Sequence, residues 1–450
     1  MNAMKRCGFL SMVAALVAVG AMGHSHAFGA GTEAGDKPNI LLYIADDQYL
    51  ASVGCYGANP SHTPNIDAFA TRGMLFKSAY CTSSICTPNR AVLLSGLYPI
   101  KNGAHPNHSG FKPGIKSMPN YMKELGYRTA LVGKDGIKFK NANYKWDSYI
   151  KKSEELVPGA ESPLHDRHRK TDYAAMERFL REDTATPFFL VHAASLPHGP
   201  ELNELPNGLS GYDASNFYGD YEFGRDLELL QRLGLEKNTL VVYLNDNEAH
   251  IPRSKYSLYD TGIHVPMIIS WPGQITAGAT TDAMVSFLDI LPTFIEVGGG
   301  RAPDELDGKS FLDVLRGKTN RHNDEMYFSY TGVIVGNKTQ PVPYPIRAIR
   351  TGQFKYIRNL NSTVPHPQSL SADGGADMRP VEELYDLLED PHESKNLAGN
   401  KELQSVRKEL SGKVDAWMKQ VGDRGIESEK EALKYFDPKK RKKWPELTKQ

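Results

Sequence analysis

"NILLYIADD", residues 39–47, runs through apolar and small side chains from Ile40 to Ala45 and then stops on two aspartates, Asp46 and Asp47. An apolar run that does not alternate with polar residues is the pattern of a strand buried on both faces of a parallel or mixed sheet. The same texture recurs in "TALVG" (129–133), "PFFLVHA" (187–193), "TLVVYLN" (239–245) and "VPMIIS" (265–270). Between these runs lie "MPNYMKELGY", "DYAAMERFLRED" and "YEFGRDLELLQRLGL", with apolar residues at three- and four-residue spacing, as amphipathic helices require. The alternation predicts an α/β fold: a large mixed, mostly parallel sheet covered by helices on both faces. Polar residues follow several of the strands: Asp46 and Asp47, then His198, then Asp246 and Asn247. In open α/β sheets the ligand crevice lies beyond the carboxyl ends of the strands, so these residues are expected to meet in one cleft.

After about residue 325 the texture changes to short strands, a turn and a closing helix, in "MYFSY", "YPIRAIRTGQFKYIRNL", "EELYDLLEDPHESKNLA" and "SVRKELSGKVDAWMKQ". This reads as a smaller C-terminal α+β subdomain over 325–425, with the main domain at 37–324. Residues 426–450, with "KKRKKW", read as a charged, solvated tail. At the other end, residues 1–27 read as a signal peptide: a basic start, an apolar run and the small residues "SHA". No later segment is apolar over a length that spans a bilayer, so a secreted or periplasmic protein with no stable membrane span is expected. The 450 residues carry 53 basic and 53 acidic side chains, a balance that offers no general attraction to nucleic acid or anionic lipid. Positive charge for an anionic substrate must therefore be local.

Beyond Cys7 in the leader, the cysteines are Cys55, Cys81 and Cys86, an odd number for an oxidising compartment. Pairing of Cys55 with Cys81 stays open. Cys86 lies in "CTSSICTPNRAVLLSG" (81–96). Pro88 suits the first turn of a helix and Gly96 its stop, so Cys86 falls at a helix N-terminus, where backbone N–H groups and the dipole favour negative charge. Arg90 projects from the same side one turn on. The pair suits an oxyanion such as sulfate or phosphate. A tyrosine-phosphatase loop separates its cysteine and arginine by five residues rather than three, and a thiol protease has no use for the arginine.

The segment resembles the signature of the type I, formylglycine-dependent sulfatases of the alkaline phosphatase superfamily: cysteine–x–proline–x–arginine, an apolar stretch, then "SG". The resemblance implies that a formylglycine-generating enzyme oxidises Cys86 to formylglycine, whose hydrated aldehyde supplies the oxygen nucleophile for sulfate transfer. It also implies a metal, Ca2+ or alternatively Mg2+, held by Asp46, Asp47, Asp246, Asn247 and the modified Cys86, an oxygen-rich set that suits hard cations. "LVGKD" places Lys134, "SLPHGP" His198 and "RSKYSLYDTGIHVP" Lys255 where the family binds sulfate or protonates the leaving group, and Arg90 joins them. One departure is Gly136, where the family usually has a histidine; His105 or His108 in "NGAHPNH" are the alternatives within reach. The implied function is hydrolysis of O- or N-sulfate on a sulfated oligo- or polysaccharide, closest to the sulfoglucosamine sulfohydrolase branch. The alternatives are a phosphate or phosphonate ester hydrolase of the same superfamily and an inactive sulfated-glycan binder. Loops "KNGAHPNHSGFKPG", "PHGPELNELPNG" and "GVIVGNKTQPVPYP" are expected to select the sugar.

Overall fold

The computed structural model describes residues 37–137, 144–160, 168–333, 343–363 and 378–435. The expected signal peptide, 1–27, and most of the loop "GVIVGNKTQPVPYP" lie outside these residues.

Eight strands form the main sheet: β1 (Asn39–Asp46), β2 (Met74–Phe76), β3 (Arg128–Gly133), β4 (Ser148–Ile150), β5 (Phe188–Pro197), β6 (Thr239–Asn245), β7 (Met267–Ser270) and β8 (Ala279–Thr281). Their spatial order is β8-β2-β7-β6-β1-β5-β3-β4. Only β7 runs against its neighbours; the remaining pairings are parallel. β1 is central, with Leu42 opposite Val191 of β5 and Val242 of β6. The mixed, mostly parallel sheet expected from the apolar runs is therefore present.

The continuous apolar character of β1 has a direct packing cause. Ile40, Leu42 and Ile44 enter one core, and Leu41, Tyr43 and Ala45 enter another. The first core holds side chains of helices α2 (Cys86–Ser95), α3 (Met118–Glu124) and α6 (Ile290–Val297); the second holds those of α1 (Pro64–Ala70), α4 (Tyr173–Glu182) and α5 (Gly211–Arg232). Each buried Leu or Ile on this strand contributes about 1.5–3 kcal/mol by leaving water.

Helix α5 begins ten residues before the apolar pattern at Tyr221 that announced it. Its first half buries polar residues instead, including Ser215, Asn216 and Asp220. The Asp220 carboxylate accepts from the Asn65 and Ile66 N–H groups at 3.1 and 2.8 Å, so tertiary hydrogen bonds replace an apolar stripe there. Gly224 lets α5 close on α1, because a Cβ at that position would lie 2.6 Å from the Asn65 side chain.

The smaller C-terminal domain is an antiparallel sheet in sequential order: β9 (Glu325–Val333), β10 (Pro343–Thr351), β11 (Phe354–Asn359) and β12 (Glu382–Asp386). Helix α7 (Gln404–Val421) packs Leu410 and Val414 against Ile349, Tyr356 and Leu384. The expectation of a solvated tail from residue 426 needs correction. Residues Ile426–Ala432 form helix α8, whose Glu429 is buried against the guanidinium of Arg347 at 2.7 Å. A charged helix is drawn into the fold here because its carboxylate completes a buried ion pair. Residues 436–450 lie outside the described residues.

Truncating the central strand tests this account. Leu42→Ala should lower unfolding free energy by about 2–5 kcal/mol. Urea unfolding should show it as a lower midpoint at unchanged slope.

Candidate active site

The cleft lies where the expectation put it, at the carboxyl ends of β1, β5 and β6. Asp46 closes β1, and Asp47 follows it in a left-handed conformation, φ 61°. That conformation is uncommon for a residue with a Cβ, and here it turns the second carboxylate back toward the first. Asp246 and Asn247 follow β6, and the Asp47 N–H donates to Asp246 Oδ1 at 3.2 Å, joining the two acidic pairs. His198 follows β5. Cys86 opens α2 as the sequence predicts, and the helix ends at Gly96.

All five catalytic candidates converge. Cys86 Sγ stands 3.8 Å from Asp46 Oδ1, 3.7 Å from Asp47 Oδ1 and 3.5 Å from Lys255 Nζ. Lys134 Nζ pairs with Asp46 at 2.5 Å, and Lys255 Nζ with Asp47 at 2.5 Å. Arg90 Nε donates to Asp246 Oδ2 at 2.8 Å, while its Nη2 lies 3.6 Å from Asp46 Oδ1. His198 donates Nδ1–H to the Gly199 carbonyl at 2.7 Å, which turns Nε2 toward Asp47 Oδ2 at 3.4 Å.

Electrostatics divides these groups unequally. Burial opposes ionisation of Asp46, but Lys134 and Arg90 outweigh it and hold its pKa well below the usual range. Asp246 goes the other way: burial, with Asp46 beside it, pushes it up to about 6 despite Arg90. Burial also raises the Cys86 thiol to about 12, although Lys134 and Lys255 pull it down. At neutral pH an unmodified Cys86 is therefore a protonated, weak nucleophile. Burial lowers the His198 pKa against the opposing pull of Asp46 and Asp47.

The donor set fits a hard cation. Ligand atoms of Asp46, Asp47, Cys86 and His198 lie within 4.8 Å of one another. Asp246 and Asn247 adjoin them through their hydrogen bonds to Asp47. Asn247 donates its amide N–H to Asp47 Oδ1 at 2.8 Å, yet its Oδ1 is buried with no hydrogen-bond partner among the described residues. Such an orphaned amide oxygen beside three carboxylates is a donor atom without an acceptor role elsewhere.

One expectation needs correction, and one question left open by the sequence is answered. His105 does not reach the cleft: its ring is buried near Glu429 Oε2, 3.9 Å away, and burial lowers its pKa to about 3. Only His108 stays nearby, its N–H donating to Thr87 Oγ1 at 3.1 Å. Cys55 and Cys81 are both free, so that pairing is absent. Asp135 accepts from Tyr144 OH at 2.9 Å. At Gly136 a Cβ would lie 2.5 Å from Arg90 Cδ, so the guanidinium's path fills the space a side chain would need.

Sequence reasoning missed the amides behind the acidic pairs. Asn89 is fully buried within α2; its amide donates to the Asp246 carbonyl and its oxygen accepts from the Thr82 N–H at 3.0 Å. Gln48 donates to Asn216 Oδ1 at 2.7 Å and accepts from Tyr243 OH at 2.6 Å. A polar amide inside the apolar helix "NRAVLLS" was the available signal for Asn89.

The sulfatase family profile matches residues 38–300, more than half the chain. The chain belongs to the sulfatase family. A second profile, the C-terminal region of N-sulphoglucosamine sulphohydrolase, matches 252–367. An ulvan-active sulfatase of Formosa agariphila is 34% identical over 423 residues, covering 86% of this chain and 81% of that protein. This sulfatase is accordingly a sulfuric ester hydrolase, and the family implies a metal ion and formylglycine. Among solved structures, one in complex with its substrate D-glucosamine-2-N,6-O-disulfate superposes at TM-score 0.69, with 20% identity, covering 87% of this chain and 99% of that one. The phosphonate monoester hydrolase of Agrobacterium radiobacter superposes at 0.64 with 19% identity, over 85% and 96% of the two chains. These two likenesses are of fold.

The raised thiol pKa has a measurable consequence. In unmodified folded protein at pH 8, Cys86 should resist iodoacetamide and label only after unfolding, as read by peptide mass spectrometry. Asp246→Ala, which strands the Arg90 guanidinium in a buried site, should cost about 3–5 kcal/mol.

Proposed function

We propose that this sulfatase removes sulfate, as an O-ester or an N-sulfate, from a sulfated carbohydrate after Cys86 has been converted to formylglycine. The observation that carries this reading is the placement of Cys86 Sγ between two buried carboxylates and the Lys255 ammonium. A residue there is close to both an oxygen-rich cation site and three fixed positive groups. The ulvan-active relative and the glucosamine disulfate complex support a sulfated sugar as substrate.

Asp46, Asp47, Asp246 and Asn247 Oδ1 would hold the metal, with calcium favoured over magnesium because the protein supplies four oxygen-bearing residues where magnesium usually takes one or two carboxylates and keeps its waters. When bound, the cation supplies Lewis-acid polarisation of a sulfate oxygen and lowers the pKa of a neighbouring hydroxyl. The hydrated formylglycine supplies the oxygen nucleophile. Arg90, Lys134 and Lys255 bind the sulfate oxygens and offset the charge that grows on them in the transition state. His198 turns Nε2 to the cleft, and in the doubly protonated ring that nitrogen carries the proton that the departing sugar oxygen or nitrogen takes. Export, expected from residues 1–27, belongs to this reading, as does maturation by a formylglycine-generating enzyme.

Gly136 favours one other reading, a binder that retains sulfated glycans without turnover, because that position offers no side chain. Co-production with a formylglycine-generating enzyme separates them. Conversion lowers the mass of the Cys86 peptide by about 18 Da, one oxygen replacing sulfur and two hydrogens. Matured protein should then release sulfate from sulfated saccharides but not phosphate from matched phosphate esters. Cys86→Ala should abolish release at unchanged melting temperature. Chelation should remove activity and calcium should restore it. Mass loss without sulfate release from any sulfated saccharide would favour the binder.

A further inference from the structure

Next to Lys255 stands an aromatic residue in a conformation it does not favour. Tyr256 has φ 72°, in the left-handed region, where glycine is at ease and a bulky side chain is strained. The strain is imposed from both sides. The Tyr256 N–H donates to the Ser84 carbonyl at 3.1 Å, and the Lys255 N–H to the Ala249 carbonyl at 3.2 Å. Upstream, Arg253 donates to the Glu393 carbonyl at 2.7 Å and lies over the Tyr259 ring at 4.1 Å. This clamp aims Lys255 Nζ at Asp47, and a glycine at 256 would satisfy it without strain. Tyrosine there sets a ring beside the ammonium, 5.6 Å from Lys255 Nζ to the ring centroid.

The ring packs in part against the first core and stays half-exposed. Tyr256 is half-buried, between the buried Tyr330, 6.3 Å away, and the exposed His250, whose ring meets it edge-on at 5.0 Å. Tyr43, Tyr243 and Tyr259 each bond their hydroxyl to a protein acceptor. Among the described residues no hydrogen bond takes the Tyr256 hydroxyl. The Lys255 ammonium beside the ring itself pairs with Asp47 and lies 3.5 Å from Cys86 Sγ, which places the ring at the sulfate end of the cleft. A sugar has an apolar C–H face and a rim of hydroxyls, and a tyrosine offers a flat apolar face with a polar tip.

We propose that Tyr256 positions the sugar that carries the sulfate. With His250 it forms the wall on which the C–H face of the ring packs, and its hydroxyl bonds a sugar oxygen next to the sulfated position. This rests on the sulfatase reading and assigns a specificity-determining residue to it.

The test compares Tyr256→Gly, which also relieves the backbone strain, and Tyr256→Phe with the wild type, all matured. The probes are D-glucosamine-2-N,6-O-disulfate, ulvan oligosaccharides and inorganic sulfate. Tyr256→Gly should raise KM for the saccharide that is turned over by about tenfold or more, one stacking and one hydrogen-bonding contact being lost. Its inhibition by inorganic sulfate, which has no sugar, should stay within about twofold, and its melting temperature should not fall. Tyr256→Phe should show part of the KM rise. An unchanged KM, or a sulfate affinity that weakens in step with KM, overturns the proposal. So does a lower melting temperature with KM intact. Absence of wild-type turnover on every saccharide is instead a failure of the sulfatase reading. In that case calorimetry of the same saccharides with Cys86→Ala, with and without Tyr256→Gly, decides. Weaker binding in the double variant supports the proposal, and equal or absent binding overturns it.

Discussion

Asp46, Asp47 and Asp246 are three carboxylates in one pocket, none more than 6% exposed. Removing one such charge from water costs several kcal/mol, and neighbours of like sign add repulsion, on the order of 3–4 kcal/mol per pair at 4–5 Å with a protein-like effective dielectric. Three cations meet this demand from three separate parts of the chain: Arg90 on α2, Lys134 just beyond β3, and Lys255 in the loop after β6. The compensation is uneven. Asp46 is held ionised, whereas Asp246 is pushed up to about 6. The pocket therefore accommodates further positive charge next to the orphaned Asn247 oxygen, the electrostatic counterpart of the oxygen-rich donor set.

The smaller domain fixes the two flanks of this pocket. On one side Asp260 pairs with Arg350 at 3.1 Å and with Lys355, Lys355 pairs with Glu393 at 2.9 Å, and Tyr259 OH donates to Glu383 at 2.7 Å. These contacts hold the segment that delivers Lys255. On the other side Arg347 is bridged to Asp423 at 2.5 Å and to Glu429, and the Gly110 N–H donates to the Tyr435 carbonyl at 3.0 Å. That loop continues to Asn107, whose Oδ1 accepts from the Thr87 N–H at 3.3 Å, beside Cys86. Buried ion pairs of this kind contribute more to placing groups than to net stability.

The main sheet and the converging residues were legible because burial on both faces leaves unbroken apolar runs, and because strand ends in such sheets meet in one crevice. Asp46, Asp47 and Asp246 announce themselves as charges closing hydrophobic strands. What could not be read depends on partners distant in the chain. The first half of α5 has no apolar stripe, since Asp220 and Asn216 are satisfied by residues more than a hundred positions away. Helix α8 resembled a solvated tail because its Glu429 finds Arg347 only in three dimensions. His105 was drawn toward the cleft by proximity to Cys86 in sequence, but its loop turns the ring to α8. Tyr256 was invisible as anything but a neighbour of Lys255 until its backbone angle was known.

The central place of β1 governs how the chain can assemble during synthesis. Its partners β5 and β6 begin about 140 and 190 residues after it ends. At roughly 5–20 residues per second, β1 waits on the order of 10–30 s for its first partner. Throughout that interval one of the most apolar segments of the protein has both edges open. Such non-local pairing slows folding and leaves an incomplete chain prone to self-association. Asp46 and Asp47 at the end of the strand then have a second use: two adjacent charges discourage edge-to-edge pairing until the sheet closes over them.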